Sequence, residues 1–104
     1  MSSDQSTVDY ICDQMRSAGH ITARKMFGEY GVYCDATFIG IICDNTLFLK
    51  VTETAKELEP TLELSPAYEG AKPSFRIPAA MLEDADRLVA FVRTVHGTLP
   101  AQKG

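Results

Sequence analysis

The sequence predicts a two-layer α+β domain, in which an antiparallel β-sheet in meander order packs against an N-terminal and a C-terminal helix. Two observations predict it: apolar residues recur at helical spacing near both ends, and strand-forming residues interrupted by turn residues fill the stretch between. With 104 residues and 45% apolar residues, the chain suits one domain over 1–104 with one core. We expect residues 1–5 and 101–104 to be frayed.

The first element is a predicted helix over residues 6–18. Its apolar residues follow the i, i+3, i+4, i+7 spacing of one helical face: Val8, Ile11, Cys12, Met15 and Ala18. Ser6 is the expected N-cap, and Gly19 is the expected stop because glycine tolerates the left-handed conformation.

Four strands are predicted next, over residues 24–28, 29–34, 37–43 and 46–51. The first two could also form one strand bent at Gly28, since an isolated glycine in a strand often marks a bulge. Asp44-Asn45 suits a hairpin turn with positive φ angles. At Asp35-Ala36 the Cβ of alanine favours another turn type.

The predicted strand over 37–43 is apolar on both faces, which indicates that its outer face is covered as well. Four residues of the sheet could form an exposed apolar patch there, of the kind that marks an interface: Tyr33, Ile39, Ile41 and Phe48. Alternatively, a C-terminal segment of the same chain lies over them.

A short helix over 53–59, capped by Thr52 or Thr54 and ended by Pro60, follows the strands, and then a loop over 61–73.

The last elements are an edge strand over 74–77 and a second long helix. Pro73 and Pro78 confine that strand to an edge because proline cannot donate to the ladder. The helix carries one apolar face: Leu88, Phe91, Val92, Val95 and Leu99. Asp84 is its expected cap, and Gly97 and Pro100 are its expected end.

The net charge of −4 is uneven, since residues 53–69 hold five glutamates against Lys56 and the remainder is neutral. Residues 16–25 contain Arg16, Arg24, Lys25 and His20 without an acid. Direct nucleic-acid binding through this basic edge is therefore one alternative function, although an autonomous DNA-binding domain is usually basic overall. A solvated helix end and strand start explain the same residues.

The chemistry-bearing residues predict no catalytic or metal site. Cys12, Cys34 and Cys43 lack C-x-x-C spacing, and we expect them to be reduced and mostly buried. His20 and His96 could join Cys34 or Cys43 around a metal only if the fold gathered distant positions. No common catalytic motif occurs, and a pairing of Cys34 or Cys43 with His96 as nucleophile and base is less expected than a structural role. We therefore expect a non-enzyme without metal or cofactor.

Two further expectations concern ligands and location. A small ligand-binding domain with a pocket near Tyr30, Tyr33 and Tyr68 is another alternative.

The chain contains no apolar run that approaches the roughly 20 residues of a membrane span, and residues 1–9 lack the basic start of a signal peptide. We expect a cytoplasmic protein.

A resemblance is carried by R-K-M-F-G-E-Y-G-V-Y over 24–33, the apolar strand over 38–42 and D-N-T-L-F-L-K-V over 44–51. This arrangement resembles the N-terminal domain of the TfoX/Sxy competence regulators over nearly the whole chain. The residues of the motif are Met26, Phe27, Gly28, Tyr30 and Gly31. Gly28, Gly31 and Gly40 are expected to relieve crowding where sheet and helix approach.

The resemblance implies a two-layer α+β fold and a non-enzymatic role in regulating bacterial genes for DNA uptake, in concert with the cyclic-AMP receptor protein at certain promoters. In length, the chain resembles the stand-alone members of the family, which lack the helical C-terminal domain of full-length members. Ala36 stands where many members have glycine.

The leading functional hypothesis is a protein-interaction module, a transcriptional co-regulator that contacts the transcription machinery or the cyclic-AMP receptor protein. A homodimer is also possible, and no membrane contact is expected. The residues of the candidate interaction surface belong either to the sheet face or to the basic edge: Tyr33, Ile39, Ile41 and Phe48 to the first, and Arg24 and Lys25 to the second.

Overall fold

The computed structural model describes residues 3–26 and 28–100, and its two-layer α+β architecture confirms the predicted fold class. The helices are α1 (Gln5–Met15), α2 (Glu53–Leu58), α3 (Ala79–Leu82) and α4 (Ala85–Thr98), with a 3-10 turn at Arg16–Ala18. The strands are β1 (Ile21–Met26), β2 (Glu29–Cys34), β3 (Thr37–Cys43), β4 (Thr46–Leu49), β5 (Leu64–Pro66) and β6 (Pro73–Arg76). In these residues no helix is both long and apolar enough to cross a bilayer.

All neighbouring strands are antiparallel, in the order β1-β2-β3-β4-β6-β5. The first four strands form the predicted meander. Strands β1 and β2 are a hairpin in which Met26 lies opposite Glu29, so the alternative of one strand bent at Gly28 is wrong. Strand β5 lies within the predicted 61–73 loop, and it covers β6. The prediction that the 74–77 segment is an edge strand is therefore wrong, because β6 lies between β4 and β5.

The position of the prolines explains why β6 can be an inner strand. It pairs with β4 only through Phe75 and Arg76. Pro73 is the first residue of the strand and Pro78 lies beyond its end, so neither has to donate an N–H to β4.

The core lies between the sheet and the helices α1 and α4. Its largest fully buried side chains come from both layers: Phe75, Phe91, Ile11, Met15, Ile39, Ile42, Leu47 and Leu49. Phe75 of β6 and Phe91 of α4 meet edge-on, with ring centroids 4.9 Å apart. This aromatic contact holds the last strand against the last helix.

The helix ends differ in part from the prediction. Thr52 and Asp84 cap their helices as expected, each accepting a hydrogen bond from a backbone N–H 3.2 Å away. Helix α1 instead begins after Asp4, so Ser6 is not its cap. Helix α4 runs through Gly97 to Thr98, because an exposed glycine can remain helical where tertiary contacts support the helix.

Both β-hairpin turns at the ends of β3 have positive φ angles. Asp44 and Asn45 have φ of 51° and 61°, as predicted. Asp35 and Ala36 have φ of 50° and 69°, so the expectation of another turn type at Ala36 is wrong. A turn with positive φ angles matches the right-handed twist of the flanking strands. The left-handed conformation of Ala36 costs about 1 kcal/mol of stability, because its Cβ approaches the following carbonyl oxygen.

Residues 3–5 are held in place, contrary to the expected fraying of 1–5. The N–H and hydroxyl of Ser3 donate to one carboxylate oxygen of Glu29 at 2.9 and 2.7 Å, and the Asp44 N–H donates to the other at 2.9 Å. Burial alone would raise the pKa of Glu29, but these hydrogen bonds outweigh it and lower the pKa. Residues 1, 2 and 101–104 lie outside the described part of the chain.

Candidate interaction face

One face of the sheet points away from α1 and α4, and we call it the outer face. Across four adjacent strands Gly31, Ile41, Phe48 and Arg76 lie opposite one another and form a row on this face. The next residue along β3, Ile42, is fully buried in the core, as the alternation of strand side chains requires. Tyr33 and Ile41, both predicted surface residues, are partly exposed here.

Ile39 does not belong to this surface, and its assignment to the candidate interaction surface is corrected. The register between β2 and β3 shifts at Val32 and Tyr33, so that Tyr33 pairs with Phe38 and not with Ile39. This bulge turns Ile39 inward, where it is fully buried in the core. Simple alternation cannot show such a shift.

The same bulge brings Phe38 to the outer face, a residue that the sequence analysis missed. Its ring lies 5.4 Å from that of Tyr33, and the Nζ atom of Lys50 lies 4.8 Å from its centroid. A lysine at this distance from an aromatic ring makes a favourable cation–π contact. Phe38 is therefore the aromatic centre of the outer face.

Phe48 lies on the outer face but is only 3% exposed. The guanidinium carbon of Arg76 lies 5.7 Å from its ring centroid. Arg76 itself is exposed. At this position the exposed group is therefore the Arg76 guanidinium, which packs over the buried Phe48 ring.

Tyr68, 59% exposed, divides the outer face into two hollows of about 450 Å³ each. Both hollows are lined by Phe38, Ile41 and Tyr68. The loop over 67–72 thus covers part of the face. The alternative prediction, that a later segment of the same chain covers these residues, therefore holds for part of the face. An exposed tyrosine between two hollows is typical of a contact surface.

The two hollows differ in charge. One is lined by Lys50 and Lys72, and the other by Glu29, Met26 and Cys43. The Glu29 carboxylate is already occupied by its hydrogen bonds to Ser3 and Asp44. The face is therefore positive at the Lys50 and Lys72 hollow and negative at the Glu29 hollow.

The motif residues of the β1–β2 hairpin are mainly structural. A Cβ on Gly31 would overlap the Cε of Met26, so this glycine makes room for the methionine on the outer face. Tyr30 is buried on the opposite side and donates to the side-chain oxygen of Gln5 at 3.1 Å. Gly28 is exposed with φ of 83°, so it serves the turn and relieves no crowding. Phe27 lies outside the described residues.

The predicted basic edge does not form one surface. Arg24 and Lys25 are exposed neighbours on β1, so their side chains point to opposite sides of the sheet. Lys25 lines a hollow beside α1 together with Arg16 and Asp9. Arg16 is 3.1 Å from the Asp13 carboxylate. Arg24 lies opposite Gly31 and extends the outer face.

Two other sites considered from the sequence are a tyrosine-lined ligand pocket and a pairing of cysteine with His96 as nucleophile and base. Tyr33 and Tyr68 belong to the outer side, whereas Tyr30 lines the hollow beside α1, so the three do not share a pocket. Cys34 lies near His96 but is fully buried. Burial, and next the Asp35 carboxylate, raise the pKa of the Cys34 thiol. A buried protonated thiol is a poor nucleophile.

Comparisons with known proteins agree with this structure. A protein of Spirochaeta aurantia, described as an uncharacterized 12.7 kDa protein in the trpE 5′ region, is 32% identical over 103 residues, which is 99% of this chain and 89% of the relative. The family model of the TfoX N-terminal domain matches residues 13–97. That family is associated with competence and is generally non-enzymatic. The chain belongs to the TfoX N-terminal domain family.

Proposed function

We propose that this domain is a non-enzymatic co-regulator of bacterial DNA-uptake genes that acts in the cytoplasm by binding a protein partner with its outer face. The observation that carries the proposal is the pair of hollows on either side of Tyr68. Few residues usually dominate a protein interface, and tyrosines in desolvated pockets are common among them.

The chemistry of the face defines the partner. An apolar side chain fits the hollow between Ile41 and Tyr68, and an acidic group beside it would meet Lys50 and Lys72. The net charge of −4 does not favour phosphate-dominated binding to nucleic acid. The separation of Arg24 from Lys25 gives no continuous cationic track for that alternative. The cyclic-AMP receptor protein and RNA polymerase are the first partners to test.

The test titrates the labelled full chain with each purified partner and follows fluorescence anisotropy. We expect Tyr68→Ala to weaken binding about 30-fold, the loss of one strong interface residue of about 2 kcal/mol. Tyr10→Ala is the matched control, because Tyr10 is an exposed tyrosine of α1 and is 44% exposed. It should leave the affinity unchanged.

Two results would contradict the proposal. Equal affinities for both tyrosine variants would remove the outer face from the interaction. Binding to DNA alone, with an affinity that falls steeply as salt rises, would support the nucleic-acid alternative. Light scattering of the free chain tests the remaining possibility, that the face joins two copies in a homodimer.

A further inference from the structure

Three potential metal ligands from two distant parts of the chain meet at one end of the molecule. Cys34 ends β2, Asp35 opens the following turn, and His96 lies near the end of α4. The thiol sulfur, a carboxylate oxygen and an imidazole nitrogen all lie within 4.8 Å of one another. The fold thus gathers the two positions, Cys34 and His96, whose approach the sequence could not predict.

The backbone holds two of these ligands beside each other. The N–H of Asp35 donates to the His20 carbonyl, and the His20 N–H donates to the Asp35 Oδ1 atom, both at 2.9 Å. Gly19 supplies the room: a Cβ there would lie 2.9 Å from the Cys34 sulfur and 3.1 Å from an Asp35 carboxylate oxygen. The thiol itself has a weak contact with a protein acceptor, the Ala18 carbonyl at 3.9 Å. The sulfur is fully buried, so a metal ion would reach it from the side of Asp35 and His96, whose ligand atoms lie within 4.8 Å.

We propose that Cys34, Asp35 and His96 bind a divalent transition-metal ion of the zinc type. Sulfur, imidazole nitrogen and carboxylate oxygen are the zinc ligands of proteins, and three protein ligands leave the fourth tetrahedral position to water. Zinc bond lengths place neighbouring ligand atoms about 3.3–3.6 Å apart. The partly exposed His96 side chain would move toward that spacing, while Asp35 keeps the His20 N–H on Oδ1 and offers Oδ2 to the metal.

Binding has two chemical consequences. The metal–sulfur bond forms as the S–H bond of Cys34 breaks, and the proton passes to solvent, so the affinity falls as the pH falls. The ion also links the β2–β3 turn to the C-terminal part of α4, which stabilises the folded state by mass action.

The test uses untagged, reduced full chain and Co²⁺ as the probe, with Zn²⁺ as competitor. We expect a thiolate-to-cobalt charge-transfer band that saturates at one equivalent and disappears when Zn²⁺ is added. Cys34→Ser should abolish the band, and His96→Gln should weaken binding at least tenfold. Cys43→Ser and His20→Gln are matched controls that should bind like the parent.

A second readout keeps the test decisive if Cys34→Ser fails to fold. The melting temperature of the parent should rise with Zn²⁺, and that of the folded His96→Gln variant should rise much less at the same concentration. Absence of the band in the parent, or equal Zn²⁺ responses of parent and His96→Gln, would overturn the proposal.

Discussion

The two faces of the sheet use similar residues for different purposes. Ile42 and Ile41 are neighbours on β3, yet Ile42 is fully buried among core residues and Ile41 is partly exposed. The inner face is covered by α1 and α4, whereas the outer face is covered by cations and by the loop that carries Tyr68. What covers an apolar strand residue, and not its type, decides whether it stabilises the fold or remains open to a partner.

The largest difference should come from shortening the two isoleucines. Ile42→Ala should lower the free energy of unfolding by about 4 kcal/mol, since it removes a fully buried side chain and leaves a cavity. Ile41→Ala should cost about 1 kcal/mol, because its site is open to water. Urea denaturation of both variants measures the difference. Equal losses would show that the outer face is packed as tightly as the inner one.

Glycine substitutions compare the two faces by adding side-chain atoms, where the isoleucine substitutions remove them. A Cβ on Gly40 would overlap the backbone carbonyl oxygen of Phe48, so Gly40→Ala should cost about 3 kcal/mol. A Cβ on Gly31 meets the flexible end of Met26, so Gly31→Ala should cost below about 1 kcal/mol. Thermal unfolding distinguishes them. A large loss for Gly31→Ala would mean that Met26 is fixed on the outer face.

Acid sensitivity should come from the outer side, where Glu29 holds Ser3 and the Asp44 turn. The folded-state pKa of Glu29 is lowered, so below its ordinary value of about 4.3 the unfolded chain binds the proton more readily. Its contribution is therefore present above about pH 5 and is lost as the pH falls through the folded-state pKa.

The corresponding variant is Glu29→Gln, which should lose about 1 kcal/mol at neutral pH. It should also show a flatter decline of stability between about pH 5 and pH 3. Urea midpoints across that range provide the measurement. A parent and variant with parallel pH profiles would assign the acid sensitivity to other carboxylates.

The smallest effect concerns the Asp35-Ala36 turn, which belongs to neither face and so gives a baseline for the comparison. Ala36→Gly should raise the free energy of unfolding by about 0.5 kcal/mol, because glycine adopts a φ of 69° without the Cβ penalty. Ala36→Val should do the reverse. A Gly variant less stable than the parent would show that the loss of chain entropy outweighs the relief of strain.

The elements with a strong local signal were predicted from the sequence. The helical spacing of Val8, Ile11 and Met15 and the Asp44-Asn45 turn depend on neighbours in the chain, and the structure agrees with both. Strand β5 was missed because Leu64-Ser65-Pro66 has neither alternation nor β-branched residues, and its pairing with β6 creates the strand.

The candidate site was less predictable, because its geometry depends on long-range pairing. The sequence predicts Tyr33 and Ile41 in an exposed apolar patch of the sheet, and both are partly exposed on the outer face. The bulge that exchanges Ile39 for Phe38 arises from the register between two strands, which no local pattern records. The meeting of Cys34 with His96 likewise needs the packing of α4 on the sheet.

The two ends of the sheet have a consequence for solubility. An open strand edge exposes unpaired N–H and C=O groups that can pair with another molecule and start aggregation. Strand β5 limits this at one edge because it is three residues long and ends in Pro66. At the other edge β1 carries the exposed charges of Arg24 and Lys25, which oppose the approach of a second β1. These two residues therefore help keep separate molecules from joining into a continuous sheet, whatever else they bind.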